Sequence, residues 1–193
     1  AARKLGSAGL SVPHTRIEIV DDDDQPVAQG EVGEIVIFGP QVMQGYWNNA
    51  EATERTLRRG GLHTGDLGYL DEEGYLFVVD RAKDMLITGG LNVYPAEIER
   101  LLAGLPGVTE LAVIGVPHER WGETPAVIAC TAHGSLDPQA VLAACRGVVG
   151  DYKLPRFVVT RQEPLPRNMS GKVLKRQLRE DYADLQRHSP EIR

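Results

Sequence analysis

The sequence predicts an α+β fold, in which a β-rich subdomain over residues 1–82 precedes a small α+β domain over residues 83–193. The second domain is expected to have an antiparallel sheet flanked by helices. Short alternating segments dominate the first half, and helical periodicity begins only after Lys83, where helices interleave with strand-like segments. With 193 residues and 42% hydrophobic content, the chain can bury one sizeable core or two small ones.

The β-rich half contains the segments "RIEIV", "EIVIF" and "YLFVV", in which apolar residues alternate along much of their length. Turn-rich stretches such as "DDDDQP" and "DEEG" separate them. Alternation bounded by turn residues is typical of antiparallel strands. The four aspartates at residues 21–24 lack the glycine and the terminal glutamate of a calcium loop, which favours a solvated hairpin turn.

Helical patterns follow the segment "VVDRAKD", where the domain boundary is predicted. Pro95 opens the first helix, and Asp137 with Pro138 is typical of an N-cap and the first position of a second helix. The expected apolar positions are Ile98, Leu101, Leu102 and Leu105 in the first helix, Val141, Leu142, Cys145, Val148 and Val149 in the second, and Leu174, Leu178 and Leu185 in a final helix. The strand-like segments "ELAVIGV", "PAVIACT" and "RFVVT" complete this half.

Composition argues against several classes of function. A net charge of −6 gives no overall electrostatic reason to bind nucleic acid or an anionic membrane, and the local basic run "KVLKRQLR" favours a solvated helix face. Cys130 and Cys145 lack CxxC spacing, so neither a disulfide framework nor a thiolate metal site is expected, and a reducing cytoplasm fits. No apolar run approaches the roughly 18 residues of a membrane span. Oligomeric state is not indicated.

Three segments occur in a specific order: "GLHTGDLGYLDEEGYL", "DRAKDMLITGGLNVYPAEIE" and "PRNMSGKVLKRQLR". Together with "KLGSAGLSVPHTRIEIVD" and "GEVGEIVIFGPQVMQGYWNN" near the start, they resemble the adenylate-forming family of acyl-CoA synthetases, luciferases and nonribosomal peptide adenylation domains. The resemblance covers nearly the whole chain. It is closest to acyl-CoA synthetases, because peptide-synthetase domains more typically have "NGK" in place of "SGK". Ile87 and Gly89 stand where aryl-CoA ligases often carry lysines, which weakens an aryl-specific interpretation.

The resemblance implies a reaction in two steps, in which a carboxylic acid and ATP give acyl-AMP and pyrophosphate, and coenzyme A then displaces AMP. Residues 1–82 would be the last β-rich subdomain of the large adenylating domain, and residues 83–193 the mobile C-terminal lid domain. The phosphate loop, the glutamate that binds Mg²⁺ and the acyl pocket would belong to a part preceding Ala1. The chain alone is therefore expected to be inactive, and its carboxylic acid substrate cannot be read from these residues.

The resemblance also assigns roles to single residues. Lys172 would be the catalytic residue that bridges the substrate carboxylate and the α-phosphate of ATP, and its position at an expected helix start would add free N–H groups to the anion site. Asp66 and Arg81 would bind the ribose or its phosphate, and Val78 would pack against the ribose. Taken alone, these residues could equally be an exposed lysine, a turn aspartate and half of a surface ion pair.

The second motif implies a conformational role as well. Lys83 would be the hinge about which the lid domain changes pose between the two steps. Gly89 and Gly90 would line the path of the CoA thiol, while a tight turn is the simpler reading of a glycine pair. Two other functions stay open. The chain could be part of a nonribosomal peptide synthetase adenylation domain, or a non-catalytic fragment or interaction module.

Overall fold

The structure, a computed structural model, describes residues 4–192. The chain forms two compact units, one ending at Lys83 and the other beginning at Asp84. The division lies one residue beyond the boundary that the sequence predicts. Both units contain sheets, and helices accompany the second, so the predicted α+β fold class is confirmed. No helix within the described residues is long and apolar enough to cross a membrane.

The described strands and helices have the following bounds in chain order. The strands are β1 (Arg16–Val20), β2 (Gly33–Phe38), β3 (Leu57–Arg58), β4 (Gly61–Leu70), β5 (Leu76–Arg81), β6 (Leu86–Thr88), β7 (Leu91–Val93), β8 (Val108–His118), β9 (Gly122–Thr131) and β10 (Phe157–Arg161). The helices are α1 (Ala50–Thr56), α2 (Pro95–Leu102), α3 (Pro138–Cys145), α4 (Lys175–Asp181) and α5 (Leu185–His188). Short 3-10 turns cover Ala82–Asp84 and Asp151–Lys153.

The sheet of the first unit is built around β4. Strand β2 pairs with one edge of β4, while β3 and β5 pair with the other, and β1 pairs with β2. Every one of these pairings is antiparallel. Ile19, Ile35 and Leu76 form the small buried core of this unit. Strand β4 runs through the "HTGD" motif, where the sequence pattern had indicated no strand.

The sheet of the second unit has the order β10-β9-β6-β7, with β8 also paired to β9. Its pairings are antiparallel except for that of β10 with β9, which is parallel. A parallel pair requires a crossover connection, and here the chain passes through α3 between the two strands. This parallel pair departs from the antiparallel sheet predicted for the domain.

The core of the second unit lies on both faces of its sheet. Alternate residues of β8 and β9 enter different apolar clusters, because successive side chains of a strand point to opposite faces. Val113 and Val127 pack with residues of α2 and α3, such as Ile98 and Val141. The cluster on the other face contains Ala112, Ile114, Ala126 and Ile128 of the strands, Phe157 of β10, and Leu178 and Leu185 of α4 and α5. The helices therefore flank the sheet, as predicted.

The helices differ from prediction mainly at their ends. The Asp137 N-cap is confirmed, since its side chain accepts a hydrogen bond from the Gln139 N–H at 2.9 Å. Helix α2 ends before Leu105, and Val148 lies beyond α3 with 65% of its surface exposed. The final helix is divided into α4 and α5, which both bury one leucine against the sheet.

Candidate functional site

Residues 64–66 form a bulge in β4, which we call the β4 bulge. Glu34 pairs with Leu67 and Val36 pairs with His63, so the three bulge residues lie opposite Ile35 alone. Gly65, in the middle, has a φ of +71°, a conformation that glycine adopts without a steric penalty. Bulges change the direction of side chains at the point where they interrupt a sheet. Asp66 therefore lies at an interruption of a strand and not in a turn.

Asp66 and Arg81 are directly opposite each other on β4 and β5. The Asp66 Oδ1 lies 3.4 Å from the Arg81 Nε, with the side chains 39% and 42% exposed, respectively. Val78, on the same pair of strands, pairs with Gly68 and is 42% exposed. The structure thus brings the three predicted nucleotide contacts of this unit onto adjacent strands. A carboxylate accepts hydrogen bonds and a guanidinium donates them, so the pair can bind neighbouring hydroxyl groups or an anion.

Lys172 lies in a tight, exposed loop in the second unit. The Asn168 Oδ1 accepts hydrogen bonds from the Lys172 N–H at 2.9 Å and from the Ser170 N–H at 3.1 Å. The Asn168 N–H donates to the Lys172 carbonyl at 2.9 Å, and the Arg167 guanidinium donates to the Gly171 carbonyl at 2.8 Å. The backbone of Lys172 is therefore fixed. Within residues 4–192 its Nζ makes no ion pair.

The predicted helix start at Lys172 is wrong. Helix α4 begins at Lys175, and Leu174 is its N-cap residue. Lys172 precedes this helix because its own N–H and carbonyl are bonded to Asn168. The free N–H groups at the start of α4 therefore belong to residues after Lys172, and Lys172 itself offers an anion only its ammonium group.

Gly89 and Gly90 form the two-residue connection between β6 and β7. Their φ angles are +57° and +85°, the combination that a tight hairpin turn requires. A Cβ at Gly89 would lie 3.0 Å from Trp121, whereas one at Gly90 would meet nothing within 4 Å. Both glycines therefore lie in a tight turn, and the space around the Cβ position of Gly90 is open. Lys83 is exposed within the 3-10 turn Ala82–Asp84.

Asp24, Glu34 and His63 form a cluster that has the right donor types for a metal ion. However, the Arg58 Nη2 lies 3.2 Å from the Asp24 Oδ1, 3.2 Å from the Glu34 Oε2 and 2.8 Å from the His63 Nδ1. The guanidinium therefore occupies the position that a cation would take. A metal does not fit this cluster while Arg58 is in place.

The two cysteines are both free and buried. Burial raises the pKa of the Cys130 and Cys145 thiols. A reactive cysteine needs a lowered pKa and access to solvent. Neither thiol therefore has the properties of a nucleophile.

Comparison with protein families identifies the chain. The family described as "AMP-binding enzyme" matches residues 1–47, and the one described as "AMP-binding enzyme C-terminal domain" matches residues 97–172. The chain belongs to the AMP-binding enzyme family. Membership of the AMP-binding enzyme family agrees with the resemblance drawn from the three ordered motifs.

Relatives of known name support this membership. A long-chain-fatty-acid–CoA ligase of Escherichia coli O157:H7 is 45% identical over 91% of this chain and 31% of its own length. A feruloyl-CoA synthase of an Amycolatopsis species is 46% identical over 94% of this chain and 37% of its own length. The structure of ATP-bound MatB from Rhodopseudomonas palustris has a TM-score of 0.84 and 39% identity, covering 96% of this chain and 37% of that one. The chain thus spans about a third of the length of these AMP-binding enzymes.

Two residues of the site were missed by sequence reasoning. Asn168 fixes the Lys172 loop, and its position four residues before Lys172 was a usable signal, because asparagine side chains commonly bond backbone groups in turns. Glu34 contacts the β4 bulge from the neighbouring strand. Sequence offers no signal for Glu34, because its contact depends on the register of β2 with β4.

Proposed function

We propose that the chain is the C-terminal part of an ATP-dependent acyl-CoA synthetase. A carboxylate oxygen attacks the α-phosphorus of ATP and releases pyrophosphate, and the sulfur of coenzyme A then attacks the acyl carbon, releasing AMP while the thiol proton passes to solvent. The exposed Asp66–Arg81 pair at the β4 bulge carries this proposal, since it offers the acceptor and the donor that a nucleotide needs. The CoA ligase names of two relatives support the choice of thiol.

In this proposal the first unit binds the nucleoside. The Asp66 carboxylate accepts hydrogen bonds from both ribose hydroxyls, because its oxygens have several free acceptor positions. Arg81 donates to the ribose or to its phosphate, and the half-exposed Val78 packs against the sugar ring. The Asp66–Arg81 distance of 3.4 Å leaves the pair loose enough to exchange partners when a nucleotide arrives.

Lys172 supplies the positive charge of the first step. Adenylyl transfer depends mainly on positioning and on cations beside the oxygens that carry charge in the transition state. The loop around Asn168 fixes the lysine backbone, while its side chain is exposed to solvent. The ammonium would bridge the substrate carboxylate and the α-phosphate. Mg²⁺ belongs to the proposal as a cofactor whose ligands lie outside this sequence.

The second step requires a different arrangement in this proposal. Rotation of the backbone at Lys83 would move the lid domain, and the CoA thiol would approach along the open face of Gly90, beside Gly89. The open space at Gly90 supports this path. A cytoplasmic location is also part of the proposal, and two buried free cysteines suit a reducing compartment.

One experiment separates this function from the alternatives. The full-length protein that carries this chain is incubated with ATP, Mg²⁺ and a panel of carboxylic acids, and AMP, pyrophosphate and thioester are measured with CoA or with a phosphopantetheinyl carrier protein. We expect acid-dependent AMP formation and a CoA thioester. A thioester on the carrier alone would indicate a peptide-synthetase adenylation domain. Absence of AMP formation with every acid would favour a non-catalytic role.

A further inference from the structure

We propose that Glu34 is a positioning residue for the nucleotide, because its carboxylate fixes the β4 bulge and so holds Asp66 in place for the ribose. This inference rests on the proposed function, in which Asp66 binds the ribose hydroxyls. Glu34 lies on β2, the strand opposite the bulge, and acts on the nucleotide only through β4. It is therefore distinct from the residues that contact the ligand.

The Glu34 carboxylate contacts β4 at two points. The Gly65 N–H donates to the Glu34 Oε1 at 3.0 Å, and the His63 Nδ1 lies 2.8 Å from the Oε2. One side chain thus holds residues on both sides of Thr64. The Glu34 side chain is only 21% exposed and that of His63 only 5%, so the contacts are well shielded from competing water.

Thr64 forms a second clamp on the same bulge. Its hydroxyl donates to the Ile35 carbonyl at 2.7 Å and accepts from the Asp66 N–H at 3.1 Å. A bulge leaves backbone groups without their regular ladder partners. Here the side chains of Glu34 on β2 and of Thr64 in the bulge form hydrogen bonds with those backbone groups. The conformation of Asp66 is therefore set by two specific side chains and not by the sheet alone.

Gly65 makes the clamp necessary. Glycine is permissive at φ values of either sign, so the bulge backbone has several conformations of similar energy without its tether. Removing the Glu34 carboxylate frees the Gly65 N–H, which directly precedes Asp66. Asp66 must then be ordered when the nucleotide binds, and that entropic cost weakens binding.

Arg58 completes the network and explains why an acidic residue is tolerated here. Its Nη2 lies 3.2 Å from the Glu34 Oε2 and 3.2 Å from the Asp24 Oδ1. The positive guanidinium therefore offsets the cost of placing the partly buried Glu34 side chain beside a second acidic residue.

The test measures how well the protein distinguishes ATP from 2′-deoxyATP and 3′-deoxyATP. Dissociation constants are determined by calorimetry for the full-length protein and for its Asp66→Ala, Glu34→Ala and Thr64→Val variants. We expect the wild type to prefer ATP and Asp66→Ala to lose that preference. Glu34→Ala should raise the Kd for ATP about tenfold, the effect of losing one good hydrogen bond, and should raise the Kd for the deoxynucleotides much less. Thr64→Val should likewise reduce the preference for ATP over the deoxynucleotides, as Glu34→Ala does.

A control variant and two contrary outcomes make this test decisive. Glu18→Ala on β1 removes a glutamate of the same sheet that pairs with Arg16, and it should leave the preference unchanged. Glu34→Gln retains an acceptor for the Gly65 N–H and is the substitute if Glu34→Ala does not fold. The positioning role alone would be overturned if the Glu34 variant weakened the binding of ATP and of both deoxynucleotides equally while Asp66→Ala behaved as expected. An undiminished preference in Asp66→Ala would overturn both this role and the ribose contact.

Discussion

At the scale of single residues, Asn168 and Lys172 divide the work of the candidate catalytic loop. Asn168 orders the backbone through three hydrogen bonds to its Oδ1, which come from Ser170 N–H, Ser170 Oγ and Lys172 N–H. Lys172 contributes a long, exposed side chain to the same loop. An ordered backbone lowers the entropy lost when the ammonium meets its anion, since only the side chain remains to be fixed. The loop is thus suited to delivering one positive charge.

The first prediction concerns this charge. In the full-length protein, Lys172→Ala should slow acyl-AMP formation by about 10²-fold or more, because a group that stabilises charge in the transition state is lost. Thioester formation from preformed acyl-AMP should be spared. The two half-reactions are assayed separately by pyrophosphate release and by CoA consumption.

Arg176→Ala is the matched control for Lys172→Ala. Arg176 is a cation four residues away, 89% exposed and 3.8 Å from Glu180, so its loss should affect neither half-reaction. Equal loss of both half-reactions in Lys172→Ala, accompanied by a lower melting temperature, would show that Lys172 supports the fold instead.

At the scale of elements, the β6–β7 hairpin presents its two glycines differently. Gly89 faces Trp121 and donates its N–H to the Trp121 carbonyl at 2.9 Å, whereas the Cβ position of Gly90 is open. The Trp121 ring contacts two guanidinium groups, those of Arg120 at 4.6 Å and Arg156 at 5.0 Å from the ring centre. These contacts show that Trp121 packs against its neighbours in this unit. Trp47, by contrast, is 92% exposed.

The second prediction uses the open position of Gly90. Gly90→Leu should block thioester formation while leaving acyl-AMP formation nearly intact, if the CoA thiol passes this face. Any side chain at a positive φ also costs about 1 kcal/mol or more of stability. Gly107→Leu controls for that cost, because Gly107 has a φ of +79° and equally open space. If both variants impair both half-reactions in proportion to their melting temperatures, Gly90 is only a turn residue.

Element prediction from sequence succeeded where periodicity is regular and failed where side chains bond the backbone. Strand β1 and helix α3 followed from alternation and from the Asp137 cap. Strand β4 was missed because glycine, threonine and aspartate in its bulge look like a turn. The start of α4 was misplaced because Asn168 captures the backbone of Lys172. Such contacts depend on geometry in three dimensions, which a pattern of residue types does not contain.

For the candidate site, the sequence identified the residues but not the contacts that they make. The resemblance selected Asp66, Val78 and Arg81, and the structure places them on adjacent strands. Their roles stay predictions. The parallel pairing of β10 with β9 could not be predicted, since "RFVVT" has the same pattern in either direction.

At the scale of the whole molecule, the chain consists of two units that meet in sequence at Lys83. Each unit has its own sheet and its own buried core. Hinges are short segments that absorb a change in φ and ψ between rigid bodies. The 3-10 turn Ala82–Asp84 is a short segment at the junction of the two units, and its role as a hinge stays a prediction.

The third prediction tests the hinge. Lys83→Pro in the full-length protein fixes φ near −65° and also restricts the preceding residue, so it should trap one pose and spare only one half-reaction. Lys83→Ala removes the side chain but leaves the backbone free, and it should spare both. The measurement is the ratio of acyl-AMP to thioester formation rates. A parallel loss of both rates in Lys83→Pro would show that this segment is an ordinary connector.

The fourth prediction concerns the 193-residue chain by itself. It spans about a third of the length of its relatives, and the residues that the resemblance assigns to the phosphate loop and to Mg²⁺ are not among its 193 residues. We therefore expect no carboxylate-dependent exchange of pyrophosphate into ATP by the purified chain. The full-length protein at the same concentration is the positive control. Measurable exchange by the chain alone would contradict the proposed division of roles.

Strand β8 has a consequence for the solubility of the second unit. Among the described residues it pairs only with β9, so one edge of this eleven-residue strand has no partner strand, although residues 112–116 are buried within the unit. Such edges are a common route to aggregation. Glu99 blocks this one, since its carboxylate accepts the Val113 N–H at 2.8 Å and pairs with Lys175 at 2.8 Å. A carboxylate that caps an unused strand edge therefore protects the domain from forming intermolecular sheets at high concentration.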